Sequence, residues 1–368
     1  MIFRSKAPLR IGLAGGGTDV SPYSDMYGGA ILNVTLSLYA HATLEPLTED
    51  LIILQGLDRK EERQYRLSEL SDKGELPIDG CLDLLKGVYN RIRRQYGGAS
   101  STSGTFSNAP GGSIGTPGNL GGLGSGFRLS TFVDAPAGSG LGTSSTLVVA
   151  IIGAFTEMLR LPLGEYDIAH LAYDIERNDL KMAGGKQDQY AATFGGVNYM
   201  EFYGDKVIVN PLRIKQQHLF ELENNLLLYY TSTSRESARI IEKQSQNVVD
   251  KKSSSIEAMH QLKHQAQLMK EALLTGRIHE IGEILDFGFQ QKMKMAEGIS
   301  NSLIEEIYAK ARQAGATGGK ISGAGGGGFM TFYCPGISKY RVSEVLADLG
   351  GRSQPYNFTG HGLTTWTV

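Results

Sequence analysis

"DAPAGSGLGTSSTLVVAII", residues 134–152, runs a glycine- and hydroxyl-rich stretch directly into an apolar segment. A flexible loop ahead of a helix start presents free backbone N–H groups to phosphate oxygens. The lysine of a P-loop is missing, because Gly142 is followed by Thr143, Ser144 and Ser145. A dinucleotide-binding turn fails on spacing, since GSGLGTS is not GxGxxG. A phosphate cradle of this kind needs its positive charge from elsewhere. The usual source is Mg²⁺ held by a carboxylate and a hydroxyl together with substrate oxygens.

The chain of 368 residues is 41% hydrophobic, enough for a real core and for two domains. Its 36 basic and 38 acidic residues leave a net charge of −2 with no block of like charge. That argues against nucleic acid or an anionic membrane as the main partner. Cys81 and Cys334 are the only cysteines, which fits a reducing compartment and excludes a disulfide framework. The start, MIFRSKAPLRIG, has no apolar core of a signal peptide, and the longest apolar run, 147–155, is too short to span a bilayer. The expectation is a soluble cytoplasmic protein. An apolar helix face left exposed would serve either a homodimer or a domain contact.

Residues 6–14 read as a strand running into the turn Gly15-Gly16-Gly17, and 30–44 as a second strand. A polar stretch with a hairpin follows, then a helix over 82–95. Residues 97–126 contain no charged residue and almost no large apolar one, so a mobile insert is expected there. A strand over 127–133 leads into the opening loop, followed by helices over 145–159 and 165–180 and a hairpin about Gly204-Asp205. Beyond about 211 the pattern changes to a strand (225–231), helices over 254–274, 277–296 and 302–314, then strand, glycine turn, strand (329–334), helix and strand. Two α+β domains are predicted, 1–208 and 209–368.

Two further glycine turns accompany the opening loop: Gly15-Gly16-Gly17, and Gly323 to Gly328 between two strands. Four consecutive glycines at a strand junction are costly unless another backbone approaches closely. Two carboxylates lie downstream of the loop. Glu176 is either a metal ligand or part of a solvated helix face. Asp188, among glycines and beside Lys186, Gln187 and Gln189, reads as a carboxylate presented by a loop or as an Asx-turn cap.

KAPLR with GGGTD, PAGSGLGTSST (136–146) and KISGAGGGGF (320–329), in this order and with Asp188, resemble the motifs of the GHMP kinases. This is the superfamily of galactokinase, homoserine kinase, mevalonate kinase and phosphomevalonate kinase. The resemblance spans almost the whole chain, with 97–126 as the main departure. It implies a two-domain α+β fold, the N-terminal domain like domain 2 of ribosomal protein S5 and the C-terminal domain ferredoxin-like, with the active site in the cleft between them. RSKAPLRIGLAGGGTDVSPY and GGKQDQYAATFGG are most similar to the branch that phosphorylates the anomeric hydroxyl of a heptose 7-phosphate. The mevalonate and galactokinase branches carry GEH where this chain has Gly15-Gly16-Gly17.

The resemblance further implies ATP and Mg²⁺. Gly138, Ser139, Gly140, Leu141, Gly142, Thr143, Ser144 and Ser145 would wrap the nucleotide phosphates. Ser145 and Glu176 would hold Mg²⁺, Asp188 would be the general base, and Arg10 its cationic partner. Gly17, Thr18 and Asp19 would meet the sugar, and Gly323, Ala324, Gly325 and Gly326 would close on the substrate from the second domain. Arg10 would favour the carboxylate form of Asp188 and neutralise charge on the transferring phosphoryl group. A 7-phosphate needs a second anion site, for which Lys186, Lys181, Arg177 and Arg4 are the nearby cations, Lys186 foremost. The alternatives are a kinase for fucose, arabinose or galactose, and a catalytically silent sugar sensor. A sensor would be expected to lose Asp188, Arg10 or Glu176, and all three are present.

Overall fold

A computed structural model of the chain describes residues 1–70, 74–97, 123, 125–233 and 237–368. The expected insert at 97–126 lies outside the described residues except for 97, 123, 125 and 126. Strand β1 (Phe3–Ala14) is buried without interruption from Ala7 onward, and it ends at the first glycine turn. After the short helix α1 (Tyr23–Tyr27), β2 (Gly29–Pro46) pairs antiparallel along β1. The polar stretch forms the expected hairpin, β3 (Leu51–Gly56) and β4 (Glu61–Arg66), followed by α2 (Asp83–Tyr96). Strand β5 (Phe127–Val133) lies between β2 and β3, antiparallel to the first and parallel to the second.

The opening loop then delivers the chain into α3 (Thr143–Leu159). A helix apolar on nearly all sides must be covered on all sides. Helix α3 accordingly packs on β1 and β2 and is enclosed by α2, α4 (Glu165–Asp174) and α5 (Gln187–Phe194). Val148, Ile151, Ile152 and Phe155 have no exposed surface, each worth about 1.5–3 kcal/mol of burial. The single helix expected over 165–180 is interrupted. From Ile175 to Asp179 the chain makes a π-helical turn, with Leu180 N donating to Ile175 O at 2.9 Å. Strands β6 (Val197–Phe202) and β7 (Val207–Pro211) complete this half as a hairpin on β2.

The second half begins with α6 (Gln216–Asn225) and β8 (Leu226–Tyr230). Helices α7 (Ser237–Val249), α8 (Ser253–Thr275), α9 (Ile281–Met295) and α10 (Ser302–Ala314) follow. Strands β9 (Gly318–Ile321) and β10 (Phe329–Tyr333) flank the third glycine turn, and α11 (Ser338–Ala347) leads to β11 (Arg352–Ser353). The sheet order is β11-β8-β10-β9, antiparallel throughout, and the succession β-α-β-β-α-β is that of a ferredoxin-like domain.

Two features depart from the expected division at 208/209. That boundary falls inside β7. The last strand, β12 (Thr364–Thr367), follows the second sheet in sequence but pairs antiparallel with β1, Phe3 opposite Thr367, so among the described residues the first sheet has eight strands. The end of the chain thus belongs to the first layer, tying the two halves together.

Candidate active site

In the opening loop Gly138, Gly140 and Gly142 take φ values of +71°, +84° and +81°. The backbone curls so that the first turn of α3 opens on a cavity of about 450 Å³. Gly138, Gly140, Gly142, Thr143, Ser144 and Ser145 line it. Ser139 and Leu141, expected with them, are fully buried and act as anchors. The Leu141 carbonyl accepts from Arg10 N at 3.2 Å, and the Ser139 carbonyl accepts from Phe329 N at 2.8 Å.

That last bond joins the second glycine turn to the third. A Cβ on Gly328, at φ +87°, would lie 2.4 Å from the Ser139 carbonyl oxygen, and one on Gly140 would lie 2.8 Å from that of Ser322. The glycine run therefore marks a close approach of backbone to backbone across the two domains. Of the expected substrate-closing residues, Gly323 and Ala324 line the cavity. Gly325 and Gly326 do not; they pack on Ile299, whose carbonyl accepts from Gly326 N at 2.9 Å.

Arg10, on β1 and only 3% exposed, reaches Asp188 and the loop together. Its Nε and Nη2 lie 2.7 and 2.5 Å from Asp188 Oδ1, and its Nη1 donates to the Gly140 carbonyl at 2.7 Å. Asp188 stands in the first turn of α5, not in a loop. The helix starts there because Asp19 caps it from the first glycine turn: Oδ2 accepts from Lys186 N at 2.9 Å and Gln187 N at 3.0 Å. Burial, followed by the nearby Asp188 charge, raises the Asp19 carboxyl above its ordinary value. Gly17 and Asp19 line the cavity. Thr18 does not, its hydroxyl donating to the Gly15 and Ala30 carbonyls at 2.9 and 3.0 Å.

Lys186, expected as the main substrate cation, is committed elsewhere. Its Nζ donates to Asp25 Oδ1 at 3.0 Å and to the Tyr203 carbonyl at 2.9 Å, outside the cavity. Arg4 stands exposed on β1 between Thr43 and Trp366. Arg177 and Lys181 do line the cavity. The Arg177 guanidinium is held by the Met182 and Gly185 carbonyls at 3.0 and 3.3 Å.

Ser145 and Glu176 are brought together by Gln189, whose Nε2 donates to Ser145 Oγ at 3.1 Å and to Glu176 Oε2 at 2.5 Å. The π-helical turn carries Glu176 into this position, 1% exposed. Its nearest cation is Arg177 Nη2 at 4.0 Å, and burial raises its carboxyl above the ordinary value. Among the described residues no group of three or more His, Cys, Asp or Glu could hold a metal by itself.

Comparison with known proteins places this geometry. Residues 83–196 match the GHMP kinases N terminal domain, and 269–349 the GHMP kinases C terminal domain. The D-glycero-alpha-D-manno-heptose 7-phosphate kinase of Campylobacter jejuni is 44% identical over 99% of both chains. This chain is a GHMP kinase. GHMP kinases use ATP. The crystal structure of a D-glycero-D-manno-heptose 1-phosphate kinase from Bacteroides thetaiotaomicron superposes with a TM-score of 0.78 at 42% identity, covering 100% of this chain and 99% of that one. A mevalonate kinase structure at 19% identity shares the fold, with a TM-score of 0.69 over 97% of this chain and 99% of that one.

Several polar residues at this GHMP kinase's cavity were not anticipated from sequence. Gln187 and Gln244 line it, Gln244 Nε2 holding the Gly17 carbonyl at 2.7 Å. Lys292 lines it from α9, and the Nζ of Lys320, on β9, lies like that of Lys292 3.8 Å from the point a Cβ on Gly16 would occupy. Lys292 could have been noticed, since it continues the buried stripe Leu285, Phe289 of its helix. A second cavity of about 300 Å³ shares Thr143, Ser144 and Met182 with the first, and Leu82, Leu85, Val133 and Leu147 give it apolar walls. Among the described residues no helix of the kinase is long and apolar enough to cross a membrane.

Proposed function

We propose that this kinase transfers the γ-phosphoryl group of ATP to the anomeric hydroxyl of D-glycero-D-manno-heptose 7-phosphate, giving the 1,7-bisphosphate. The observation that carries the reading is Arg10, which ties Asp188 to the Gly140 carbonyl of the phosphate loop. Asp188 takes the hydroxyl proton as the sugar oxygen bonds to phosphorus and the bond to the β-phosphate oxygen breaks. An anomeric hydroxyl is more acidic than an ordinary alcohol, so a carboxylate base suffices. The transition state is loose, and positioning and electrostatics supply most of the acceleration. Arg10 and the free N–H groups of α3 provide both.

The residues fit Mg²⁺. Ser145 and Glu176 offer two hard oxygens to one donor, Gln189 Nε2, and the only cation paired with the buried Glu176 carboxylate among the described residues is Arg177, at 4.0 Å. They would hold the ion, which neutralises charge on the nucleotide phosphates when bound. The apolar second cavity, continuous with the loop through Thr143 and Ser144, suits the adenine ring.

Engagement of Lys186 by Asp25 favours an unphosphorylated sugar such as fucose. An L-fucokinase/L-fucose-1-P guanylyltransferase of Bacteroides fragilis is 27% identical over 88% of this chain and 34% of its own length. Against this, Arg177 and Lys181 remain on the cavity wall as cations for a second phosphate. The deciding experiment measures ATP consumption across a panel of sugars and sugar phosphates, with NMR of the product to locate the new phosphate. Heptose 7-phosphate phosphorylated at the anomeric carbon is expected. Phosphorylation at any other carbon overturns the reading.

A further inference from the structure

Lys292 and Lys320 are cations of the site that the transfer as described leaves unused. Both come from the second domain, and they are 5% and 7% exposed. Lys320 Nζ crosses to the first domain and donates to the Gly12 carbonyl at 2.5 Å, while Lys292 Nζ donates to the Gly323 carbonyl. Each ammonium lies 3.8 Å from the point that a Cβ on Gly16 would occupy. Neither forms an ion pair with a carboxylate among the described residues. Two unpaired lysines beside each other and beside Arg10 are costly to bury.

Their surroundings indicate what the pair could bind. Gly323, whose carbonyl holds Lys292, abuts Gly140: a Cβ on Gly323 would lie 2.7 Å from the Gly140 Cα. Arg10 grips Gly140 by its carbonyl. Lys292 thus stands where the second and third glycine turns meet, at the reacting end of the cavity. Burial, and then the Arg10 charge, bring the Lys292 ammonium down to about 8 against the smaller opposing effect of the Asp19 carboxylate; burial and the charges of Lys292 and Arg10 hold Lys320 below its ordinary value. An anion entering between them would relieve all three effects.

We propose that Lys292, backed by Lys320, is a seat for a phosphoryl group, supplying from the second domain the charge that the glycine-rich loop lacks. The inference rests on the kinase reading. The phosphoryl group comes either from the γ-position of the nucleotide, which proximity to Gly140 favours, or from the sugar phosphate.

The test compares Kd values for AMP-PNP, ADP, heptose 7-phosphate and unphosphorylated heptose, measured calorimetrically with Mg²⁺ for the wild type, K292M and K292R. ADP binding should stay within about twofold in K292M, while AMP-PNP weakens about 10- to 100-fold, the worth of a hydrogen bond to a charged group. K292R should recover most of the preference for AMP-PNP over ADP. Loss instead of the preference for heptose 7-phosphate over heptose assigns the seat to the sugar's phosphate. Both preferences unchanged in K292M overturn the proposal. Should K292M fail to fold, K320M carries the same comparison, with loss of either preference expected and two unchanged preferences counting against the seat. Wild-type protein that transfers nothing to heptose 7-phosphate refutes the substrate reading, while the AMP-PNP and ADP arms still decide the seat.

Discussion

The guanidinium of Arg10 binds Asp188 Oδ1 through Nε and Nη2 and the Gly140 carbonyl through Nη1. One side chain thereby fixes the distance between the Asp188 carboxylate and the glycine-rich loop. A flexible lysine could supply the charge but not this three-point geometry. With Asp188 as the proposed base, the two functions are separable by mutation, because a base acts on the sugar's hydroxyl and not on the nucleotide.

Asp188→Asn should therefore leave the Kd for ATP within about threefold of wild type while kcat drops by roughly 10²–10⁴, the usual worth of a positioned general base. Nucleotide binding by calorimetry and single-turnover kinetics check the two halves. Unchanged turnover would remove Asp188 from the role of base.

Ser145 and Glu176 should be distinguishable from the rest of the loop by metal dependence. Ser145→Ala is expected to weaken Mg-ATP more than free ATP, and equal losses would count against metal binding. Glu176 adds a pH signature in the metal-free protein. Burial raises its carboxyl above the ordinary 4.5, so between that value and the folded one the native state holds the extra proton. Stability is then greatest below this window and falls as pH rises through it. Urea midpoints of wild type and E176Q, followed upward from pH 4.5 without divalent cation, should diverge, with wild type losing more. Parallel curves would contradict the account.

The interlock of the two glycine turns predicts a particular cost. Gly328→Ala meets both a left-handed φ of +87° and the Ser139 carbonyl at 2.4 Å. Gly336→Ala, at φ +62° with nothing within 4 Å, meets only the first. Backbone strain alone costs about 1–3 kcal/mol, so Gly336→Ala should fall in that range and Gly328→Ala clearly beyond it. Chemical denaturation measures the difference; equal losses would mean that the turns do not lean on each other.

What could be read in the sequence was whatever the chemistry writes as a contiguous pattern. The three glycine turns, with Ser145 at a helix start, belong to that class, and the structure gathers them with Arg10 and Asp188 about one cavity. Lys292 left only a faint mark, a lysine continuing the apolar stripe of Leu285 and Phe289, and Lys320 left none, being a single lysine in a strand whose other residues are buried. The π-helical turn that places Glu176 leaves no mark on apolar periodicity, which continues through Ile175 as in an α-helix. The last strand's return to β1 was equally hidden, since a partner across the whole chain depends on topology and not on local sequence. Lys186, expected at the substrate, has its side chain outside the cavity for a geometric reason. It lies two residues before Asp188 at a helix start, and residues two apart do not share a helix face.

That geometry gives Lys186 a structural role in place of the substrate-binding one, and the final prediction tests which of the two holds. Its side chain is 9% exposed and bonds Asp25, which is 37% exposed, and the Tyr203 carbonyl. Lys186→Met removes both bonds without entering the cavity. Because Asp25 faces solvent, its loss of a partner is screened, and a stability cost of about 1 kcal/mol is expected. The kcat and the KM for the sugar phosphate should stay within about twofold, since the backbone N–H of residue 186, which caps onto Asp19, is retained. Steady-state kinetics beside a urea titration check this. A KM raised tenfold or more, with stability unchanged, would return Lys186 to the substrate site and require its side chain to leave Asp25 when the sugar binds.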